Sequence, residues 1–158
     1  MAETQSSRDA WHGCYRDGWQ GLIVPEAFAH PAKYSRSLIQ RLYQHAHAAG
    51  WLPPGSTVLD CFGGVSLGGH DAGLLGVQHI AIELEQRFHT LALENCALWR
   101  RRYGHLPQWV TPVALQGDSR FLHKVLREQV ECVVVSPPFC DRHLRKGGSD
   151  LYRQKLLQ

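Results

Sequence analysis

The sequence has no apolar run approaching the roughly 20 residues that span a bilayer, so no transmembrane helix is expected. Its polar start, Met1 to Asp9, lacks the apolar core of a secretion signal. Cysteine is scarce and scattered: Cys14, Cys61, Cys96, Cys132 and Cys140 are odd in number and never form a CxxC pair. That argues against a disulfide framework or a zinc knuckle and fits a reducing, cytoplasmic compartment. Ten histidines are present, yet only His45 and His47 stand close together, on an expected helix where they face different directions. No metal site is expected. Internal repeats and low-complexity tracts are absent, and neither GxGxxG nor GxxxxGK occurs, which speaks against a pyrophosphate cradle. Charged residues make up only 20% and the formal charge is +3, enough to permit a nucleic-acid partner without arguing for one.

What is present is a chain of 158 residues, 44% of them apolar, the size of one domain that buries about two-thirds of its unfolded surface. We expect a disordered N-terminus over 1–10, a single domain over 11–140 and a basic tail over 141–158. Trp11 to Val24, rich in aromatics and glycine, reads as irregular structure packed on the body. Leu38, Ile39, Leu42, Tyr43 and Ala46 fall at helical spacing within Tyr34 to Ala49, with Ser35 as the expected N-cap and Gly50 closing the helix. After the turn Pro53-Pro54-Gly55 the chain alternates. Strands are expected at Thr57 to Asp60, His79 to Glu83, Val113 to Leu115 and Cys132 to Val135. Helices are expected near Leu67 to Leu75, Gln86 to Arg102 and Arg120 to Glu128. Such alternation predicts βαβ units with right-handed crossovers and a parallel sheet covered on both faces.

In an open parallel sheet, ligands bind beyond the carboxyl ends of the strands. Asp60, Glu83, Asp118 and Ser136 terminate the four expected strands. Gly63, Gly64, Gly68 and Gly69 allow the loop after Asp60 to turn tightly, and that loop opens a helix whose free N–H groups favour polar ligands. A carboxylate at Glu83 can accept both hydroxyls of a ribose, or simply sit solvated at a strand end. Asp118 can accept an adenine amino hydrogen, or cap the helix that follows without any ligand. Taken together, three carboxylates ending successive strands describe an adenosine-bearing cofactor without phosphates.

The fourth strand runs into Ser136-Pro137-Pro138-Phe139. Two prolines stiffen this corner and contribute no competing N–H. The Ser136 hydroxyl and the Pro137 carbonyl offer acceptors for the two hydrogens of a planar amine, and Phe139 offers a ring to stack on it. The corner therefore points to methyl transfer onto an exocyclic base nitrogen. Cys140 invites comparison with a cytosine-attacking thiolate, but the Pro-Cys pair of those enzymes is missing, and a small buried residue is the simpler reading. Arg100-Arg101-Arg102 complements a helix C-terminus or touches phosphates, and Arg142, Arg145 and Lys146 suit a basic loop near DNA.

Asp60-Cys61-Phe62-Gly63-Gly64, Glu83, Asp118 and Ser136-Pro137-Pro138-Phe139 resemble, in that order, the motifs of the S-adenosylmethionine-dependent DNA amino-methyltransferases. His30-Pro31-Ala32-Lys33-Tyr34-Ser35 is similar to the cofactor-contacting segment those enzymes place before the glycine loop. The resemblance runs from Trp11 to Phe139 and is nearest to small methylases of phage or prophage type. It implies a Rossmann-like fold with S-adenosylmethionine as cofactor and DNA as partner. Asp60 with the Phe62, Gly63 and Gly64 backbone would hold the methionine portion, Glu83 the ribose and Asp118 the adenine, with Lys33 and Ser35 near the cofactor's carboxylate. Ser136, Pro137, Pro138 and Phe139 would form the catalytic corner, with cytosine N4 favoured over adenine N6. Two departures stand out from the family's Asp-Pro-Phe-x-Gly-x-Gly loop: Cys61 replaces the proline, and Ser66 replaces the last glycine. Ser66 matters if that position requires φ > 0. Family sheets have seven strands where this chain offers about four. A chain shortened at its C-terminus is expected, either a cofactor-binding remnant or a half that pairs with a second polypeptide. RNA or protein amides remain alternative substrates.

Overall fold

Short apolar runs and amphipathic stretches alternate here as strands and helices do, because a strand buried on both faces needs no polar side. The computed structural model describes residues 11–127 and 129–137. The expected disordered start and basic tail lie outside the described residues, as do Pro138, Phe139 and Cys140. In chain order the elements are α1 (Arg36–Ala48), β1 (Thr57–Asp60), α2 (Gly68–Leu74), β2 (Gln78–Glu83), α3 (Gln86–Tyr103), β3 (Val113–Gln116), α4 (Leu122–Val125) and β4 (Cys132–Val133). A 3-10 turn at Pro25–Ala29 precedes them, and another at Ser119–Phe121 leads into α4.

The four strands form one parallel sheet in the order β3-β2-β1-β4. The chain winds outward from β1 through β2 to β3, then returns to add β4 on the far side of β1. The order therefore reverses between β1 and β4, and in open α/β sheets a crevice opens at the carboxyl ends of such a pair. Register pairs Asp60 with Ala81 and Glu83 with Gln116, so β2 and β3 end level while β1 ends two residues short of β2.

Alternation along the strands divides the core. Val58 and Ala114 join a large cluster with Ile39, Tyr43, Phe88, Leu91 and Trp99 from α1 and α3. Leu59, Ile80 and Ile82 point to the opposite face, where they are buried beneath the half-buried Leu122, Val125, Leu126 and Val130. Coverage on both faces is thus present but uneven among the described residues. The irregular segment before α1 is packed on the body as expected: Trp19 donates to the Tyr34 carbonyl at 2.8 Å, and Trp99 donates to the Leu22 carbonyl. Fully buried Asn95 accepts the Val24 N–H at 2.9 Å and donates to the Val65 carbonyl at 2.9 Å, clipping that segment to the glycine loop.

Three local expectations need correction. Ser35 occupies the N-cap of α1, yet its hydroxyl donates to the Asp17 carbonyl and caps nothing. The helix expected from Arg120 to Glu128 is only a 3-10 turn followed by a single α-turn, because the chain is already extended again at Leu126. β4 stops pairing at Val133, although Val134 N–H still donates to the Leu59 carbonyl at 3.0 Å. Its partner β1 ends at Asp60, so no ladder remains for Val135. No helix among the described residues is long and apolar enough to cross a membrane.

Candidate functional site

A shallow cleft lies at the reversal between β1 and β4. Asp60, Phe62, Gly63, Gly64, Val65, Leu67 and Ser136 line it, together with His30, Ala32 and Tyr34. Asp60 and Ser136 are brought there by adjacent parallel strands, and the glycine loop forms the floor.

The floor is tightly specified. Gly63 donates to the Ile82 carbonyl at 2.9 Å and packs so closely on β2 that a Cβ would sit 2.6 Å from the Ala81 Cβ. Gly64 has φ of +52°, and a Cβ there would meet the His30 ring at 2.9 Å. Ser66, fully buried, holds φ of +63°. The requirement for positive φ at the position where Ser replaces glycine is therefore real, and it costs about 1–2 kcal/mol for a residue with a Cβ.

Electrostatics at the floor favour incoming donors. Asp60 is 4% exposed; its Oδ1 accepts the Phe62 N–H at 3.0 Å. Burial raises its pKa from 3.8 to about 6, the Phe62 N–H opposes that rise, and the nearby Glu83 charge adds to it. Glu83 is buried rather than solvated. Its Oε2 accepts the Gly64 N–H at 2.9 Å and its Oε1 the Glu85 N–H at 2.7 Å. Burial raises its pKa, while those N–H groups pull it back. Glu83 thus braces the loop from the neighbouring strand, coupling the β2 end to the cleft floor.

The remaining expected residues divide. Asp118 does not line the cleft: it caps the turn after β3 by accepting the Arg120 N–H at 2.9 Å, and it pairs with the Arg120 guanidinium at 2.7–3.1 Å. That guanidinium holds its pKa low. Lys33 and Ser35 do not line the cleft either. The Lys33 ammonium donates to the Phe28 and His30 carbonyls, and Ser35 donates to that of Asp17. Their neighbours Ala32 and Tyr34 face the cleft instead. Residues 31–35 carry no helical turn. Pro137 is exposed outside the lining, while Pro138 and Phe139 lie outside the described residues.

No family model matches the chain, and no curated protein matches it. Solved structures do. TrmN from Thermus thermophilus superposes with a TM-score of 0.52 at 24% identity, over 72% of this chain and 31% of its own. A protein-L-isoaspartate O-methyltransferase gives 0.45 at 15% identity over 66% and 31%. A glycopeptide N-methyltransferase, MtfA, complexed with sinefungin gives 0.40 at 20% identity over 61% and 35%. The fold is Rossmann-like, a parallel sheet flanked by helices that superposes on TrmN. The chain spans about a third of the length of these solved structures.

Proposed function

We propose that the chain binds S-adenosylmethionine in this cleft and directs its methyl group to an exocyclic amine of a DNA base, cytosine N4 in preference to adenine N6. The observation that carries the proposal is the convergence of Asp60, the Gly63-Gly64 turn and Ser136 on one cleft at the β1/β4 reversal. The chemistry of the lining fits the cofactor. No lysine or arginine lines it among the described residues, so a polyphosphate has no counter-charge there, whereas a phosphate-free adenosyl group with a cationic tail meets the Asp60 carboxylate. Gly63 and Gly64 lie where added Cβ atoms would strike Ala81 and His30, as a backbone pressed close to its surroundings requires.

When bound, the cofactor supplies an electrophilic methyl on a sulfonium. The protein's part is to hold and orient. Asp60 opposes the positive charge, and Glu83 keeps Gly64 and Glu85 in the loop geometry. The Ser136 hydroxyl and Pro137 carbonyl accept the two hydrogens of the target amine and aim its lone pair. A bound sulfonium would give up its methyl to the amine and leave as a neutral thioether, and the methylated amine would lose its extra proton to solvent. Rate arises from positioning, since an aromatic amine is a poor nucleophile and no strong base is needed. Flipping the base from a duplex costs a few kcal/mol, and stacking on Phe139, worth roughly 1–3 kcal/mol, helps to offset it.

A second reading is a binding half that works with another polypeptide. Val133 and Val135 are exposed at the sheet edge among the described residues, a surface suited to a partner. Incubation with methyl-labelled cofactor and DNA, RNA or protein separates these cases. Label in DNA alone supports the proposal. Label in RNA or protein instead overturns the substrate, and cofactor binding without transfer favours the half-enzyme.

A further inference from the structure

His30 stands against the glycine loop without a role in the chemistry above. Its Nδ1 lies 2.8 Å from the Ala32 carbonyl oxygen. A carbonyl only accepts, so Nδ1 carries the proton and a neutral ring leaves Nε2 as a bare acceptor. Burial lowers the pKa of this histidine from 6.5, with the Lys33 charge acting in the same direction and the Ala32 bond and Glu85 opposing, so the ring is neutral at neutral pH. The imidazole packs edge-on against Phe88 at 4.5 Å and fills the space above Gly64, which fixes its orientation. Nε2 has no protein partner among the described residues, and the ring lines the cleft together with Asp60 and Ser136.

Among the described residues, the side chains with polar atoms in the lining are a carboxylate, an imidazole acceptor and two hydroxyls, with no cationic side chain. Lys33, which the motif resemblance places near the cofactor's carboxylate, spends its ammonium on the Phe28 and His30 carbonyls. These side chains suit a cation with several N–H donors.

We infer that His30 is a binding residue that reads the amino-acid end of the cofactor, its Nε2 accepting a hydrogen bond from the α-ammonium while Asp60 supplies the opposite charge. The inference rests on the cofactor reading above and goes beyond it, because it exchanges the expected contact of Lys33 with a carboxylate for one between a neutral histidine and an ammonium.

Titration calorimetry with two ligands tests it. S-adenosylhomocysteine carries the amino-acid end, and 5′-methylthioadenosine lacks it. His30→Phe keeps the packing against Gly64 and Phe88 but removes the acceptor. It should weaken S-adenosylhomocysteine about tenfold, as loss of a hydrogen bond to a charged group does, and leave 5′-methylthioadenosine within about twofold. His30→Gln, with an acceptor restored, should recover part of the loss. Should His30→Phe not fold, His30→Leu provides the same comparison. A loss shared equally by both ligands marks a structural role and overturns the inference, as does no loss for either. If wild-type protein binds 5′-methylthioadenosine and S-adenosylhomocysteine equally well, the inference fails while the cofactor reading stands. If it binds neither, both fail.

Discussion

Replacing Asp60 by Asn should make the ligand-free protein more stable at neutral pH, because the native carboxylate is held where ionisation is unfavourable. Its pKa rises from 3.8 to about 6, chiefly through burial. For an acid with a raised folded-state pKa, the folded form holds its proton more tightly than the unfolded chain. The stabilisation is complete below pH 3.8 and is lost as pH climbs through about 6. A rise of about two units corresponds to at most about 3 kcal/mol between those limits. Asparagine keeps an oxygen for the Phe62 N–H and nearly the same volume, but has no charge to bury. Urea unfolding of wild type and Asp60→Asn from pH 4 to 8 measures the difference. The variant should gain up to about 3 kcal/mol at pH 7.5, several degrees in Tm, and little at pH 4. Equal or lower stability of the variant at pH 7.5, or a gap that does not widen with pH, refutes the reasoning. The same substitution removes the counter-charge in the cleft and should weaken S-adenosylhomocysteine by about tenfold or more, so the native residue gives up stability to retain binding.

Three further outcomes follow from the geometry. Ser66→Gly should raise stability by about 0.5–1 kcal/mol in thermal or urea melts, since the φ of +63° favours glycine. Glu83→Ala leaves the Gly64 and Glu85 N–H groups without their acceptor, so it should destabilise by about 1–3 kcal/mol and weaken cofactor binding more than tenfold by calorimetry. Ser136→Ala should leave cofactor affinity within about twofold and lower label transfer into DNA at least tenfold, because the proposed function assigns the hydroxyl to the amine and not to the cofactor.

The sheet was legible because its signal is local. The run expected as His79 to Glu83 is observed as Gln78–Glu83, buried from His79 onward, and Thr57–Asp60 matches residue for residue. α3 ends one residue beyond its expected end. Where tertiary contacts decide, the sequence said less. The length of α4 depends on Asp118 capping a 3-10 turn and on the extended chain at Leu126, and β4 is cut short by the end of its partner β1. At the site, Asp60, Phe62, Gly63, Gly64 and Ser136 meet as their positions after β1 and β4 imply. Lys33 and Ser35 do not line it, since their side chains bond to the Phe28, His30 and Asp17 carbonyls, tertiary contacts that residue type does not announce. Asp118 had two readings before folding, ligand contact or cap, and the Arg120 pair at its carboxylate displays the cap. Glu83 shows why a strand-end carboxylate is ambiguous: both its oxygens are committed to backbone N–H groups that no pattern in the sequence reveals.

The central claim, that the strand ends of β1 and β4 enclose a site for a phosphate-free adenosyl cofactor, is tested most directly by titrating S-adenosylmethionine into the folded chain. The account predicts one-to-one binding at roughly micromolar Kd, about −8 kcal/mol, with ATP failing to compete. A cooperatively folded sample that releases no heat with S-adenosylmethionine, or that binds ATP in its place, would contradict it.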